Sequence, residues 1–243
     1  MKRERPIVAR ERPIVAIDGP VGAGKSTVAR ALARALGFSY LNTGAMYRAV
    51  AVAARAAGIR PQDVTAATNI LSSHRIDAQL ANVLATIEIT FRGERVLLAG
   101  HDITDVIIEP EIGDLASRLS ALPIVRAKLL DVQRAAGAAG GVVMEGRDIG
   151  TAIFPDAEVK FFLVADAKVR AARRYAELMA KGVATTLDEV AAQLAERDQR
   201  DAGRALAPLK PAADAIVIDS TACDVAAVVN EMKTRALAVS RTP

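Results

Sequence analysis

The chain has 243 residues, 51% of them apolar and 25% charged, enough to bury one sizeable α/β core and too few for several independent domains. Lysine and arginine exceed aspartate and glutamate by four, a mild excess that suits an anionic partner without choosing between a nucleic acid and a small phosphate compound. The one cysteine, Cys223, excludes an internal disulfide, and no apolar run is long enough to cross a membrane.

The N-terminus is charged with no long apolar stretch behind it, so no secretory signal is expected. The heptapeptide RERPIVA stands at 3–9 and again at 10–16, and only the second copy runs on into Ile17, Asp18 and a glycine-rich turn. Residues 1–12 therefore read as a disordered extension.

From there the pattern alternates. Pro13 to Asp18 is a β-branched run, expected as a buried strand. Lys25 to Leu36 places Val28, Ala31, Leu32, Ala35 and Leu36 on one helical face, and Gly37 ends the helix. A second helix is expected over 45–57, stopped by Gly58. Ile87, Ile89 and Phe91 alternate before the turn Arg92-Gly93-Glu94, which predicts a hairpin over 87–98 and an inserted subdomain. Further helices run to Ala135, one starting at Pro123. Strands are expected at 142–144, 159–164 and 214–219, one long basic helix over 167–201, and a last helix over 224–239. Strands alternating with helices predict a parallel sheet covered on both faces.

The sharpest motif is Gly19-Pro20-Val21-Gly22-Ala23-Gly24-Lys25-Ser26, followed by Thr27. It fits the pattern G-x-x-x-x-G-K-[ST] between a strand and a helix. Glycines let successive N–H groups turn toward one anion, and the helix N-terminus adds its positive end. Lys25 supplies a charge to the β- and γ-phosphates of ATP, and Ser26 a hydroxyl to the Mg²⁺ that bridges them. A dinucleotide fingerprint fails, because the third glycine is missing and Asn42 stands where a ribose acid would. The protein-kinase H-R-D and D-F-G signals are absent, as are the GTPase signals D-x-x-G and N-K-x-D.

Three clusters are candidates for the acceptor. Thr43 and Arg48 sit at a helix start, where they could serve a phosphate or be only an N-cap and a solvated charge. Glu145-Gly146-Arg147-Asp148-Ile149-Gly150 follows a strand, at the end where parallel sheets bind ligands. Arg170, Arg173 and Arg174 share one helix face, and Arg197, Arg200, Asp201 and Arg204 repeat that spacing. Guanidinium groups suit phosphate clamping, though a solvated helix face would look similar. No nucleophilic triad or metal-ligand pattern is visible; His74 and His101 are isolated, and Cys223 reads as inert.

Several blocks in order, IDGPVGAGKST at 17–27, LNTGAMYR at 41–48, EGRDIGTAIFPDA at 145–157 and ERDQRDAGRALAPL at 196–209, make the chain resemble the bacterial cytidylate kinases from about Ile14 to about Leu237. The resemblance implies the nucleoside-monophosphate kinase form of the P-loop fold. That is a three-layer α/β/α domain over 13–239, with a monophosphate-binding insert near 59–125 and a lid near 167–185. It implies transfer of the γ-phosphoryl group of ATP to CMP or dCMP, with Mg²⁺ required. It places Gly19 through Thr27, Arg170 and Arg174 at ATP. Thr43, Arg48, Ser117, Arg126, Arg147, Asp148, Asp201 and Arg204 fall at CMP. The resemblance also implies that Lys25, Arg147, Asp148 and Arg204 form the catalytic group. The chain departs from the family at Asn42 and His101, where acids are usual. A cytoplasmic monomer with no nucleic-acid or membrane partner is expected. The alternatives are another small-molecule P-loop kinase, such as one for shikimate or dephospho-coenzyme A, a nucleotide-binding protein without turnover, or an ATP-responsive nucleic-acid-binding protein. The last is disfavoured by the scarcity of aromatics for base stacking.

Overall fold

A computed structural model describes residues 12–65 and 70–239; the first heptapeptide copy, at 3–9, lies outside them. In chain order the first elements are β1 (Ile14–Asp18), α1 (Lys25–Leu36), β2 (Ser39–Asn42), α2 (Thr43–Ala56), α3 (Pro61–Thr65) and α4 (Ile70–Thr86). Then come β3 (Ile89–Arg92), β4 (Arg95–Leu98), β5 (His101–Asp102), α5 (Pro110–Leu119), α6 (Pro123–Gly137) and β6 (Val142–Glu145). The last are β7 (Val159–Val164), α7 (Ala167–Ala180), α8 (Leu187–Ala202), β8 (Ile216–Asp219) and α9 (Val225–Val239).

Two compact units divide the described residues: those up to Asn42 together with those from Arg134 onward, and Thr43–Gln133. The first holds a five-stranded sheet in the order β2-β6-β1-β7-β8, every pair parallel. β1 and β6 are buried at every position, as central parallel strands must be when both faces are covered. Val15 and Ile17 of β1, Val143 of β6 and Phe161 and Leu163 of β7 share one face of the sheet. They pack against Val28, Ala29 and Leu32 of α1 and Val228 and Met232 of α9. That apolar stripe explains why the period-3.6 pattern of α1 forms a helix here: each fully buried aliphatic side chain contributes about 1.5–3 kcal/mol, far more than helix propensity does. On the opposite face, β1 meets a single π-helical turn at Ile149–Ile153. In the second unit β3, β4 and β5 form an antiparallel sheet. Val96, Ile103 and Ile107 pack there with Ala45 and Ala49 of α2.

The expected hairpin over 87–98 is β3 and β4, with β5 as a third strand that two residues could not announce. The long helix expected over 167–201 is instead two, α7 and α8. Thr186 starts the second with a capping box: its hydroxyl accepts from the Glu189 N–H, and the Glu189 carboxylate accepts from the Thr186 N–H. Once both orphan donors are satisfied, a fresh start costs less than continuing through 181–186.

Gly19 closes β1 at φ 146°, and a Cβ there would lie 2.1 Å from the Leu163 carbonyl oxygen of β7. Backbone cannot yield as a side-chain end can. Gly19→Ala should therefore cost about 2–4 kcal/mol of stability, read as a fall in the urea midpoint of unfolding; an unchanged midpoint would show that β1 and β7 are less closely joined than described.

Candidate active site

The turn between β1 and α1 rises from strand end to helix start in six residues, with Gly22 at φ 79° and Gly24 at φ 87°. Lys25 opens α1 and is 7% exposed. Its ammonium folds back and donates to the Pro20 carbonyl at 2.7 Å, bracing the turn. Burial pushes the Lys25 amine well below its ordinary value, and the Arg147 charge pushes the same way; Glu145 and Asp18 pull it back. A buried cation with neighbouring cations has an unmet demand for anionic charge, which a polyphosphate meets.

Ser26 donates from Oγ to Glu145 Oε2 at 3.0 Å. Glu145 ends β6, is 3% exposed, and takes a second hydrogen bond on Oε1 from the Tyr40 hydroxyl of β2 at 2.5 Å. Asp18, at the end of β1, accepts the backbone N–H groups of Ile149 at 2.9 Å and Gly150 at 2.8 Å. Those two bonds fix the turn that follows Asp148, which is itself buried. Burial pushes the Asp18 carboxyl up to about 6, and the Asp148 charge adds to the rise, against the opposing effect of the Gly150 and Ile149 N–H groups and Lys25.

The arginines of the same unit are organised around Asp201, which is 1% exposed. Arg147 donates from Nε to Asp201 Oδ2 at 3.0 Å, and Arg204 pairs with the other oxygen. Burial acts to raise the Asp201 carboxyl, but Arg147, Arg204 and Arg197 outweigh it and hold it below the ordinary range. One buried anion thus gathers guanidinium groups from the 145–150 block and the 196–209 block. Arg170 turns inward: it donates to the Val21 carbonyl at 3.1 Å and pairs with Asp198 at 2.7 Å. Arg174 pairs with Glu177 on its own helix at 2.8 Å.

The other predicted acceptor residues lie in the second unit. Thr43 begins α2 and is buried. Arg48, on α2, donates to the Ile107 carbonyl at 3.0 Å, and its guanidinium lies 3.9 Å from where a Cβ on Gly113 would stand. Gly113 and Ser117 are four apart on α5, so they share a face. Ser117 is 4% exposed, and its hydroxyl has no hydrogen-bond partner. Arg126 donates to the Ser120 carbonyl at 3.3 Å.

Sequence reasoning did not single out Tyr40 or Asp18, and it named Glu145 only within its cluster. An acid at the end of the strand beside β1 was the available signal for Glu145; nothing local marks a tyrosine on a four-residue edge strand. Among the described residues no group of three or more His, Cys, Asp or Glu could hold a metal, and no helix is long and apolar enough to cross a membrane.

A glycine-rich turn between a parallel strand and a helix, with a buried lysine and a serine hydroxyl at the helix start, has the form of a P-loop phosphotransferase. Comparison with known proteins narrows the class. The sequence profile described as cytidylate kinase matches residues 15–237. The chain is 49% identical over 216 residues to a protein named cytidylate kinase from Citrifermentans bemidjiense, covering 87% of each. It is 48% identical to one from Geobacter sulfurreducens, again over 87% of each, and 47% identical to one from Pseudomonas aeruginosa, over 86% of this chain and 88% of that one. The chain belongs to the cytidylate kinase family.

The titration of Asp18 gives a test of this geometry in the nucleotide-free protein. Its folded carboxyl binds a proton more tightly, at about 6, than the ordinary 3.8. The resulting stability is fully present below the ordinary value and is lost as pH rises through about 6. The span is on the order of 3 kcal/mol. The stability difference between the native chain and Asp18→Asn should fall from about pH 4 to about pH 6 and then stay flat. A difference that does not change with pH would mean that Asp18 is solvated, and one that rises with pH would mean that its carboxylate is stabilised rather than penalised by the fold.

Proposed function

We propose that the chain transfers the γ-phosphoryl group of ATP to CMP, and to dCMP, giving ADP and CDP or dCDP. The observation that carries this is the buried Lys25 in its phosphate-gripping turn, within a chain of the cytidylate kinase family. Gly19 through Thr27 take the donor phosphates on backbone N–H groups and the N-terminus of α1. Lys25 leaves the Pro20 carbonyl for the β- and γ-phosphate oxygens, which restores its charge balance. Arg147 and Arg204 offset the negative charge that spreads over the moving phosphoryl oxygens, and Asp201 keeps both in place. This is catalysis by position and charge, with no covalent intermediate on the protein. Asp148 serves the acceptor nucleoside, and Arg170 and Arg174 serve the donor. The residues 167–185 act as a lid.

In the second unit Thr43, Arg48, Ser117 and Arg126 are the acceptor's ligands, and the insert near 59–125 is the monophosphate-binding part. The support for Ser117 is its buried hydroxyl without a partner, since such a group costs about 1–3 kcal/mol unless something completes it. A cytosine edge, with its own donor and acceptors, is a group of the right kind.

The residues present also fit Mg²⁺. A serine hydroxyl and a buried carboxylate meet at 3.0 Å, hard oxygen donors of the sort Mg²⁺ takes one or two at a time while it keeps waters and binds phosphates. Ser26 and Glu145 would hold it. When bound, the ion would supply positive charge to offset the negative charge of the donor phosphates. The chain's own contribution is to orient the hydroxyl and the carboxylate beforehand.

ADP release coupled to a detection enzyme, with CMP, dCMP, UMP and AMP as acceptors, tests the assignment. CMP and dCMP should give the highest kcat/KM; no ADP above the water background with CMP would refute it. Lys25→Ala should lower kcat by about 10²–10³-fold with little loss of stability, since it removes a buried cation. Ser117→Ala should raise the KM for CMP by about tenfold and leave the unfolding midpoint equal or higher, because it deletes an unsatisfied group. If the midpoint falls and KM holds, Ser117 belongs to packing alone.

A further inference from the structure

β2 places Tyr40 beside the phosphate-gripping turn, and nothing in the proposed chemistry uses it. Three hydrogen-bonding groups converge there. The Tyr40 hydroxyl donates to Glu145 Oε1 at 2.5 Å, and the Ser26 hydroxyl donates to Glu145 Oε2 at 3.0 Å. Arg30, one helical turn beyond Ser26 on α1, donates to the Ser26 carbonyl at 3.1 Å and stands with its guanidinium 5.9 Å from the Tyr40 ring centre. Both oxygens of a nearly inaccessible carboxylate are therefore engaged, each from a different element.

The consequence lies in the Ser26 hydroxyl. It has one proton and two lone pairs. While its proton is held by Glu145, its lone pairs are left as acceptors, the groups a cation binds. A carboxylate free to rotate would not hold that proton in one direction. The Tyr40 hydroxyl prevents the rotation. A phenol is neutral at neutral pH, so the Tyr40 hydroxyl is available as a donor.

We propose that Tyr40 is a positioning residue: its hydroxyl locks Glu145, and through Glu145 it aims the Ser26 lone pairs at the Mg²⁺ that accompanies the donor nucleotide. This rests on the phosphoryl-transfer reading above. It assigns Tyr40 no contact with substrate. Removing such an outer partner of a metal-binding group typically weakens metal binding by 10–100-fold, and the loss should appear only where the metal is involved.

The test uses the full chain and a fluorescent N-methylanthraniloyl derivative of ADP, titrated once with excess Mg²⁺ and once with EDTA. The ratio of the two Kd values is the metal-dependent gain in affinity. Tyr40→Phe keeps the ring under Arg30 and should lower that gain by about three- to tenfold while the Kd in EDTA stays within about twofold. In a Glu145→Gln background, adding Tyr40→Phe should change nothing more, because the group it positions has lost its charge. An unchanged gain in Tyr40→Phe overturns the inference. So do parallel shifts of both Kd values, which would mean that the hydroxyl only supports packing, and so does an additive effect in the double variant. A native chain with no metal-dependent gain would take down the Mg²⁺ reading itself, and the inference with it; tight binding in EDTA would still leave the phosphate-gripping turn intact.

Discussion

The site depends on the cost of keeping the ammonium of Lys25 out of water. A lysine that is 7% exposed, with Arg147 and Arg197 adding to its discomfort, is held by a carbonyl and by the more distant charges of Glu145 and Asp18. That environment is poorly balanced without a ligand and well balanced with an anion bearing several charges. β1 and α1 exist in this arrangement because Val15 and Ile17 bind the strand to Val28, Ala29 and Leu32 of the helix. The turn between them has little freedom left. Core packing on one side of the sheet therefore sets the direction in which the N–H groups of 21–24 point.

The arginines show the complementary device. Guanidinium groups brought close together repel one another, and a buried carboxylate among them offsets that repulsion. Asp201 does this for Arg147 and Arg204. The arrangement leaves the guanidinium planes partly committed and oriented, which under the proposed function would lower the reorganisation needed during transfer. Glu145 does the same for a hydroxyl, with Tyr40 behind it. In both places a buried acid organises hydrogen-bond donors.

Much of this was legible in the sequence, and the reason is contiguity. Gly19 to Thr27 lie together in the chain, so one motif reports the loop, its charge and its context. The strands around β1, β6 and β7 were visible because buried parallel strands are unbroken apolar runs. What escaped notice was set by tertiary contacts. β2 has four residues and no alternation, so Tyr40 looked like part of a connection. Its partner Glu145 is 105 positions away. Arg147 and Asp201 are 54 apart, and each could have been a solvated charge. The break between α7 and α8 was signalled by Thr186 and Glu189, a capping box inside an otherwise helical composition, but the run of basic residues read more strongly. The role proposed for Ser117 came from the family resemblance, and only the structure reveals its hydroxyl as buried and unmatched.

A crystal structure of the chain with ADP, CMP and Mg²⁺ tests the central claim most directly. The account predicts that Lys25 Nζ leaves the Pro20 carbonyl and lies within hydrogen-bond distance of a β-phosphate oxygen cradled by the N–H groups of 22–26. Finding the nucleotide phosphates elsewhere, with Lys25 still bonded to Pro20, would contradict it.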